Sequence, residues 1–431
     1  MEAIKAAEEV ARLSYGRLVA YLAARWRDLA AAEDAVGDAL RAALETWPRA
    51  GVPKKPEAWL LTVARRRLLD ESRREYSRAR ALEALSRIAD ESFERPESTF
   101  PDERLKLLFV CAHPAIDATL HTPLMLQVVL GLETVRIASA FLIAPSAMSQ
   151  RLVRAKSKIR DAGVAFDVPE KDQLAARVDA VLAALYVAYG AGWEDMAGVD
   201  SGRPDLVDEV LWLARLIVDL LPDEPEAKGL LALMLYCEAR RPARRTADGG
   251  FVPLSAQNTK LWSRPMLAEA ETLLFAASRA RRMGHFQLEA AIQSAHAERA
   301  WGGVVDWPAI VHLYEGLLSI APSVGASLGY AAAVAEAQGA ERGLALLEDI
   351  PQQLVAKHQP YWALRGHLLM RVERSLEAWQ AYERAIAFTG DRAISVFLFG
   401  RLVGAMEQFW DEALERLRRQ IERTNKQKVQ Q

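Results

Sequence analysis

Apolar residues recur at intervals of three and four along almost the whole chain, which predicts helix after helix and an all-α fold. Residues 3–29 form one such stretch, with Val10, Leu13, Leu18, Leu22 and Trp26 at helical positions. Residues 31–46 form a second, in which Val36, Leu40 and Leu44 stand among alanines. Glu33, Asp34 and Asp38 cluster near its start, where a helix dipole favours carboxylates. The segment PRAGVPKKP, from Pro48 to Pro56, then breaks the pattern and reads as a basic loop. A third helix is expected over Glu57–Arg74, with Trp59, Leu60, Val63 and Leu68 as its apolar stripe. Arg65, Arg66, Arg67, Arg73 and Arg74 crowd its polar side. From Glu75 the chain turns polar and charged, and 77–101 reads as a flexible linker.

Two short helices, Asp102–Pro114 and Thr122–Leu130, lead into Gly131–Ala162, which reads as two helices with a tight break between them. The first carries Val135, Ala138 and Phe141. The second starts near Ser146, just after a proline suited to a first helical turn, and puts Met148, Leu152, Ala155 and Ile159 on one face. Ser149, Gln150, Arg151, Arg154, Lys156, Lys158 and Arg160 project elsewhere, with no acid between Ser146 and Ile159. A short helix, a tight turn and a basic second helix outline a helix-turn-helix. On its own this stretch fits a basic helical hairpin equally well. The arginine helix beside Trp59 and a basic loop has the composition of a surface that tracks phosphates and stacks bases.

Composition narrows the class. Hydrophobic residues at 51% and charged residues at 26% are those of a soluble globular protein. No apolar run reaches the roughly 20 residues that span a bilayer, so no membrane partner is expected. MEAIKAAEEV lacks the marks of a secretory signal. Cys111 and Cys237 lie far apart in sequence, which fits a reducing cytoplasm. The net charge of −2 leaves nucleic-acid affinity to local clusters. Cys111, His113 and His121 match no closed zinc spacing, and neither do His285, His296, His312, His358 and His367. No metal, no cofactor and no catalytic residue is expected, since no nucleophile–base pair, paired carboxylates or phosphate-binding glycine loop occurs.

Several of these motifs together, in this order, resemble a bacterial extracytoplasmic-function sigma factor. The residues that carry the resemblance are AEDAVGDAL (Ala32–Leu40), EAWLLTVARRRLLDESRR (Glu57–Arg74) with the proline-rich loop before it, DERLKLLFVCAHPAI (Asp102–Ile116) and SAMSQRLVRAKSKIR (Ser146–Arg160). The resemblance implies a region two-like domain over 1–76 and a region four-like helix-turn-helix over 102–168. It assigns Glu33, Asp34, Asp38 and Leu40 to core RNA polymerase docking. It assigns Lys54, Lys55, Trp59, Arg65, Arg66 and Arg73 to the −10 element of promoter DNA. Ser146, Ser149, Gln150, Arg151, Arg154, Lys156 and Lys158 fall to the −35 element. Gly37 departs from the family, many members of which carry glutamine there.

Beyond Asp167-Val-Pro169 the chain is rich in Ala, Leu and aromatic residues, with helices expected over Leu174–Gly190, Leu206–Leu221 and Ala227–Arg240. The stretch from Arg240 to Pro265 is a long polar interruption, read either as a functional loop or as a disordered insertion. Ala309, Gly343 and Ala378 recur at spacings of 34 and 35. Trp362, Gly366, Ala378, Tyr382 and Ala385 fit the tetratricopeptide pattern. Over its full length the chain resembles those sigma factors that carry a fused tetratricopeptide-like extension. This implies a regulatory helical-repeat domain over 169–425 that takes a protein or small-molecule ligand. Tyr189-Gly190-Ala191-Gly192-Trp193 departs from that pattern. The function expected is a sigma factor, not an enzyme, acting in the cytoplasm. A polymerase-independent helix-turn-helix regulator with a helical-repeat sensor is the alternative, but it leaves residues 31–74 without a role. A helical-repeat scaffold with basic helices is a third reading.

Overall fold

The computed structural model describes residues 2–78, 102–141, 143–169, 171–195 and 204–429. Among these, regular structure is helical apart from one isolated antiparallel bridge between Arg245 and Phe251. The chain divides into two compact units, Met1–Gly192 with Pro204–Ile217, and Trp193–Arg203 with Val218–Gln431.

The first unit opens with α1 (Glu2–Trp26), α2 (Leu29–Ala50) and α3 (Pro56–Arg78). Leu18, Leu22, Val36, Trp47, Leu60 and Leu68 are buried between them, whereas Leu13 and Leu44 face outward. The Asp28 carboxylate caps α2 by accepting from the Ala31 amide at 3.0 Å. The first proline of the basic segment does not end α2 as expected. Pro48 lies in the last turn, near the end of the helix, and the helix runs on to Ala50. It stops at Gly51, whose φ of +83° favours glycine and whose amide donates to the Trp47 carbonyl. The true break is therefore Gly51–Lys55. The linker expected over 77–101 falls, from residue 79 onward, outside the described residues.

Next come α4 (Arg104–Cys111), α5 (Ala118–Val128), α6 (Thr134–Ala140) and α7 (Pro145–Asp161). In α7 the residues Met148, Leu152, Ala155 and Ile159 are all buried, as their spacing predicts. In α6 Ala138 is buried as expected and Phe141 half-buried, but Ile137 is buried beside them and Val135 is exposed. α8 (Lys171–Asp195) runs on through Gly190 and Gly192, and α9 (Pro204–Leu220) follows. These two helices are tied to α4 by buried arginines. Arg177 donates to the Phe109 carbonyl at 3.3 Å, and burial depresses its guanidinium pKa. Arg104 pairs with Asp102 at 2.7 Å and with Glu209, under the Trp212 ring.

The second unit runs through α10 (Pro225–Ala239), α11 (Arg264–Ser278), α12 (His285–Ala297), α13 (Trp307–Ile320), α14 (Val324–Gln338), α15 (Ala340–Glu348), α16 (Gln352–Val355), α17 (Gln359–Arg371), α18 (Ser375–Ala387) and α19 (Arg392–Val429). Consecutive helices pack as pairs, and small residues set the approach. A methyl group at Gly366 would meet the Tyr382 ring at 2.9 Å, and one at Gly343 would meet Ala335 Cβ at 2.6 Å. Residues 240–263 are a folded segment, which corrects the disordered-insertion alternative. Trp262 is buried, and Arg299 donates to the Leu254, Ser255 and Gln257 carbonyls. Arg245 pairs with Asp391, and Phe251 stacks edgewise on Phe397.

Gly284→Ala is expected to cost the second unit about 1–3 kcal/mol. The new methyl group would lie 2.0 Å from the Glu226 carboxyl carbon. That carboxylate accepts from the Phe286 and Gln287 amides at 3.0 and 3.1 Å, so it caps the start of α12 from another helix. Denaturant unfolding of Gly284→Ala beside Glu226→Ala checks this; a wild-type midpoint in both would contradict it.

Candidate nucleic-acid interface

The break between α2 and α3 builds a groove of about 480 Å³ on the first unit. Pro56 starts α3, and the Lys55 carbonyl accepts from the Trp59 amide at 3.2 Å. Residues 59, 62, 63 and 66 then share one helix face by their spacing of three and four. Lys54, Lys55, Trp59, Thr62 and Arg66 accordingly line the groove together. Both lysines are exposed, and the Trp59 ring is held edgewise against buried Trp47, with centroids 5.5 Å apart. A rigid indole beside three cations can stack a flat base and hold its phosphate.

Arg65 does not join this groove. It lies about a quarter turn round the helix and donates to the Tyr21 hydroxyl, with its guanidinium 5.1 Å from that ring. Arg67 faces Asp38 at 3.8 Å. The Arg73 side chain lies outside the described residues.

The α7 helix presents Ser146, Ser149, Gln150, Arg151, Arg154 and Lys158 to solvent. Pro145 opens its first turn, and Met148, Leu152, Ala155 and Ile159 pack inward, so the exposed sector is polar apart from Val153. Lys156 is different. Its ammonium lies 2.6 Å from the Glu33 carboxylate, and the two side chains are only 12% and 11% exposed. Further along α7, Arg160 stands 3.6 Å from Asp28.

The acidic cluster on α2 is divided in the same way. Asp34 is exposed, Leu40 is half-buried, and Asp38 pairs with Arg41 at 2.8 Å as well as with Arg67. Glu33 instead turns inward, where it accepts from the Tyr15 hydroxyl at 3.3 Å. Burial raises the Glu33 pKa, against the lowering effect of Lys156. Burial and the Glu33 charge push the Tyr15 phenol well above its usual range, and burial does the same to the Cys111 thiol. Gly37 is exposed with nothing within 4 Å of where a Cβ would stand, so the departure at this position leaves an open surface.

Sequence reasoning missed the seam that joins Lys156 to Glu33. One signal for it is Gly16, a glycine in the middle of an otherwise strong helix former. A methyl group there would lie 1.9 Å from the Val129 carbonyl oxygen. Among the described residues no group of three or more His, Cys, Asp or Glu could hold a metal ion. His113 Nδ1 accepts from the Ala115 amide at 3.1 Å, and Cys111 is buried. No helix among the described residues is long and apolar enough to cross a membrane.

Comparison with known proteins places a family on two stretches of this architecture. Sigma-70 region 2 matches residues 12–78, which cover most of α1, all of α2 and α3, and the groove between the last two. A family of unknown function (DUF6596) matches residues 177–278, from the buried arginine of α8 to the end of α11. The uncharacterized protein R00370 of Rhizobium meliloti (strain 1021) is 39% identical over 380 residues, covering 86% of this chain and 89% of the relative. No solved structure matches the chain. The chain thus belongs to the same family as the Rhizobium protein, and it carries a Sigma-70 region 2 at its N-terminal end.

Proposed function

We propose that the chain is a sigma factor of the extracytoplasmic-function type, which binds core RNA polymerase and directs promoter-specific initiation in the cytoplasm. The observation that carries this reading is the coincidence of the Sigma-70 region 2 match with a groove combining Trp59, Lys54, Lys55 and Arg66. On this reading the groove takes unpaired bases of the −10 element, and Asp34, Asp38 and Leu40 lie on the polymerase-facing helix. The exposed start of α7, with Ser149, Gln150 and Arg154, reads −35 bases in the major groove, while Lys158 grips phosphate. The second unit is a tetratricopeptide-like regulatory domain with a protein or small-molecule ligand. Its support is the close pairing of helices at Gly343 and Gly366.

Run-off transcription with core polymerase tests the reading against a polymerase-independent regulator. A promoter-specific transcript from core plus this chain alone is expected. Duplex binding that needs no polymerase, with no such transcript, would favour the regulator. Arg154→Ala is expected to lower the transcript about 5- to 150-fold, the equivalent of 1–3 kcal/mol of lost base discrimination. Core binding should be unchanged; a parallel fall in it would refute the division of labour.

A further inference from the structure

The helix α19 carries two apolar faces. One packs on α18 and the core behind it, where Leu398 and Ala405 are buried. The other, nearly opposite, holds Val396, Phe399, Met406, Trp410 and Leu414 exposed, with Val403 half-buried among them. From Val396 to Trp410 this stripe recurs at alternate steps of three and four, the seam of a helix that pairs with another helix. The sequence carries it on through Leu417 and Ile421. A helix at the edge of a stacked array keeps a polar outer face when water is its only neighbour, and an exposed apolar stripe of this length marks an interaction surface.

The stripe has the area that a pair of helices needs. An aromatic side chain buries about 150–250 Å², so the 59% of Phe399 and of Trp410 left exposed offers roughly 90–150 Å² each. With Val396, Met406 and Leu414 the stripe supplies on the order of 500 Å² per copy, or about 1,000 Å² for two, the lower bound of a specific interface. Length adds to this. Ser375, the first residue of α18, donates to the Glu412 carboxylate at 3.0 Å. From that point α19 runs on to Val429, about 25 Å at 1.5 Å per residue.

Charge selects the occupant. At about 100° per residue, Glu407 and Arg418 flank the stripe on the same side, and both are exposed. A second copy laid parallel would set each of these charges against its own kind. Laid antiparallel and centred near Glu412, it sets Glu407 of one copy beside Arg418 of the other, twice by symmetry, and overlaps the stripe along its whole length. In the single chain Arg418 meets Glu415 at 3.1 Å with both side chains more than half exposed, a surface pair that exchanges at little cost.

We propose that the exposed stripe of α19 is the interface of a reversible homodimer, in which two copies of this chain pair antiparallel and Glu407 of each faces Arg418 of the other. The pairing belongs to the second unit, and a failed run-off assay would leave it standing.

The test is sedimentation of the full chain over a range of concentrations. A reversible rise from 47.8 kDa toward twice that mass is expected. Trp410→Glu should raise the dissociation constant at least about 100-fold, since a central tryptophan is lost from both copies, and circular dichroism checks that the variant stays folded. Glu407→Arg and Arg418→Glu should each raise it about 5- to 30-fold by setting like charges together. Mixed in equal amounts, these two single variants should pair with one another at wild-type strength. The two changes in one chain should also restore self-pairing.

A monomer at every concentration up to about 100 μM overturns the proposal, whether the stripe is then found covered by another face of the same chain or by core polymerase. A folded Trp410→Glu protein that dimerises as wild type overturns it too, and so do single-charge variants that pair no better mixed than alone. The charge variants leave the apolar stripe untouched, so that last arm decides even where Trp410→Glu fails to fold.

Discussion

Trp59→Ala is expected to reduce promoter-specific transcript about 5- to 150-fold, the loss of one base stacked on an aromatic ring at 1–3 kcal/mol. The indole is pre-set by its edgewise contact with Trp47, so little ordering cost falls on the moment of binding. Because the ring also packs against that neighbour, thermal unfolding is measured alongside. Lys54→Ala and Lys55→Ala separate the two kinds of contact. Each should lower the salt slope of binding to promoter DNA by about one, whereas Trp59→Ala should leave the slope unchanged. A folded Trp59→Ala protein within twofold of wild-type transcript would remove the groove from the mechanism.

The second unit is expected to lose on the order of 3 kcal/mol between pH 6.5 and 4 through His296. Burial, then the charges of Arg240 and Arg299, pushes this imidazole down to about 4. The unfolded chain takes up its proton near 6.5, whereas the folded protein resists until about pH 4. The stabilisation is therefore fully present above 6.5 and is lost as pH falls through that window. Urea unfolding at pH 7.5, 5.5 and 4.5, for wild type and His296→Gln, reads it directly. The variant should show a flatter decline, and equal slopes would assign the acid sensitivity elsewhere. The edgewise contact of His296 with Trp307, at 5.4 Å, disfavours rescue by rotation into solvent.

Local pattern revealed some of this architecture and concealed the rest for physical reasons. Met148, Leu152, Ala155 and Ile159 were legible because a helix buries one stripe, and spacing alone defines the stripe. The groove was legible because a proline-broken basic loop must meet the first turn of the following helix, which brings Lys54 and Lys55 to Trp59. Lys156 was not legible. A lysine in a polar sector reads as solvated, and the acid that buries it is more than a hundred residues away in sequence. The order in residues 240–263 was hidden for the same reason. Composition makes that segment a loop, but its shape comes from Arg299, Asp391 and Phe397, which belong to other helices. The continuation of α2 past Pro48 shows that where a proline falls within a helix matters as much as its presence.

The contacts of Arg104 with Glu209 and of Arg177 with the Phe109 carbonyl bear on how this protein can be cut and inherited. Both Arg177 and Glu209 fall in the segment matched by DUF6596, and both hold α4. A truncation at residue 168 would strip the Glu209 and Trp212 partners from buried Arg104, and its phenotype would report damage around α4 as much as the loss of the extension. The same tie means that the extension is not a detachable cassette. Its first two helices and the helix they hold must change together, so recombination that swaps extensions between relatives should find its viable crossover points after α9 and not at the end of α7.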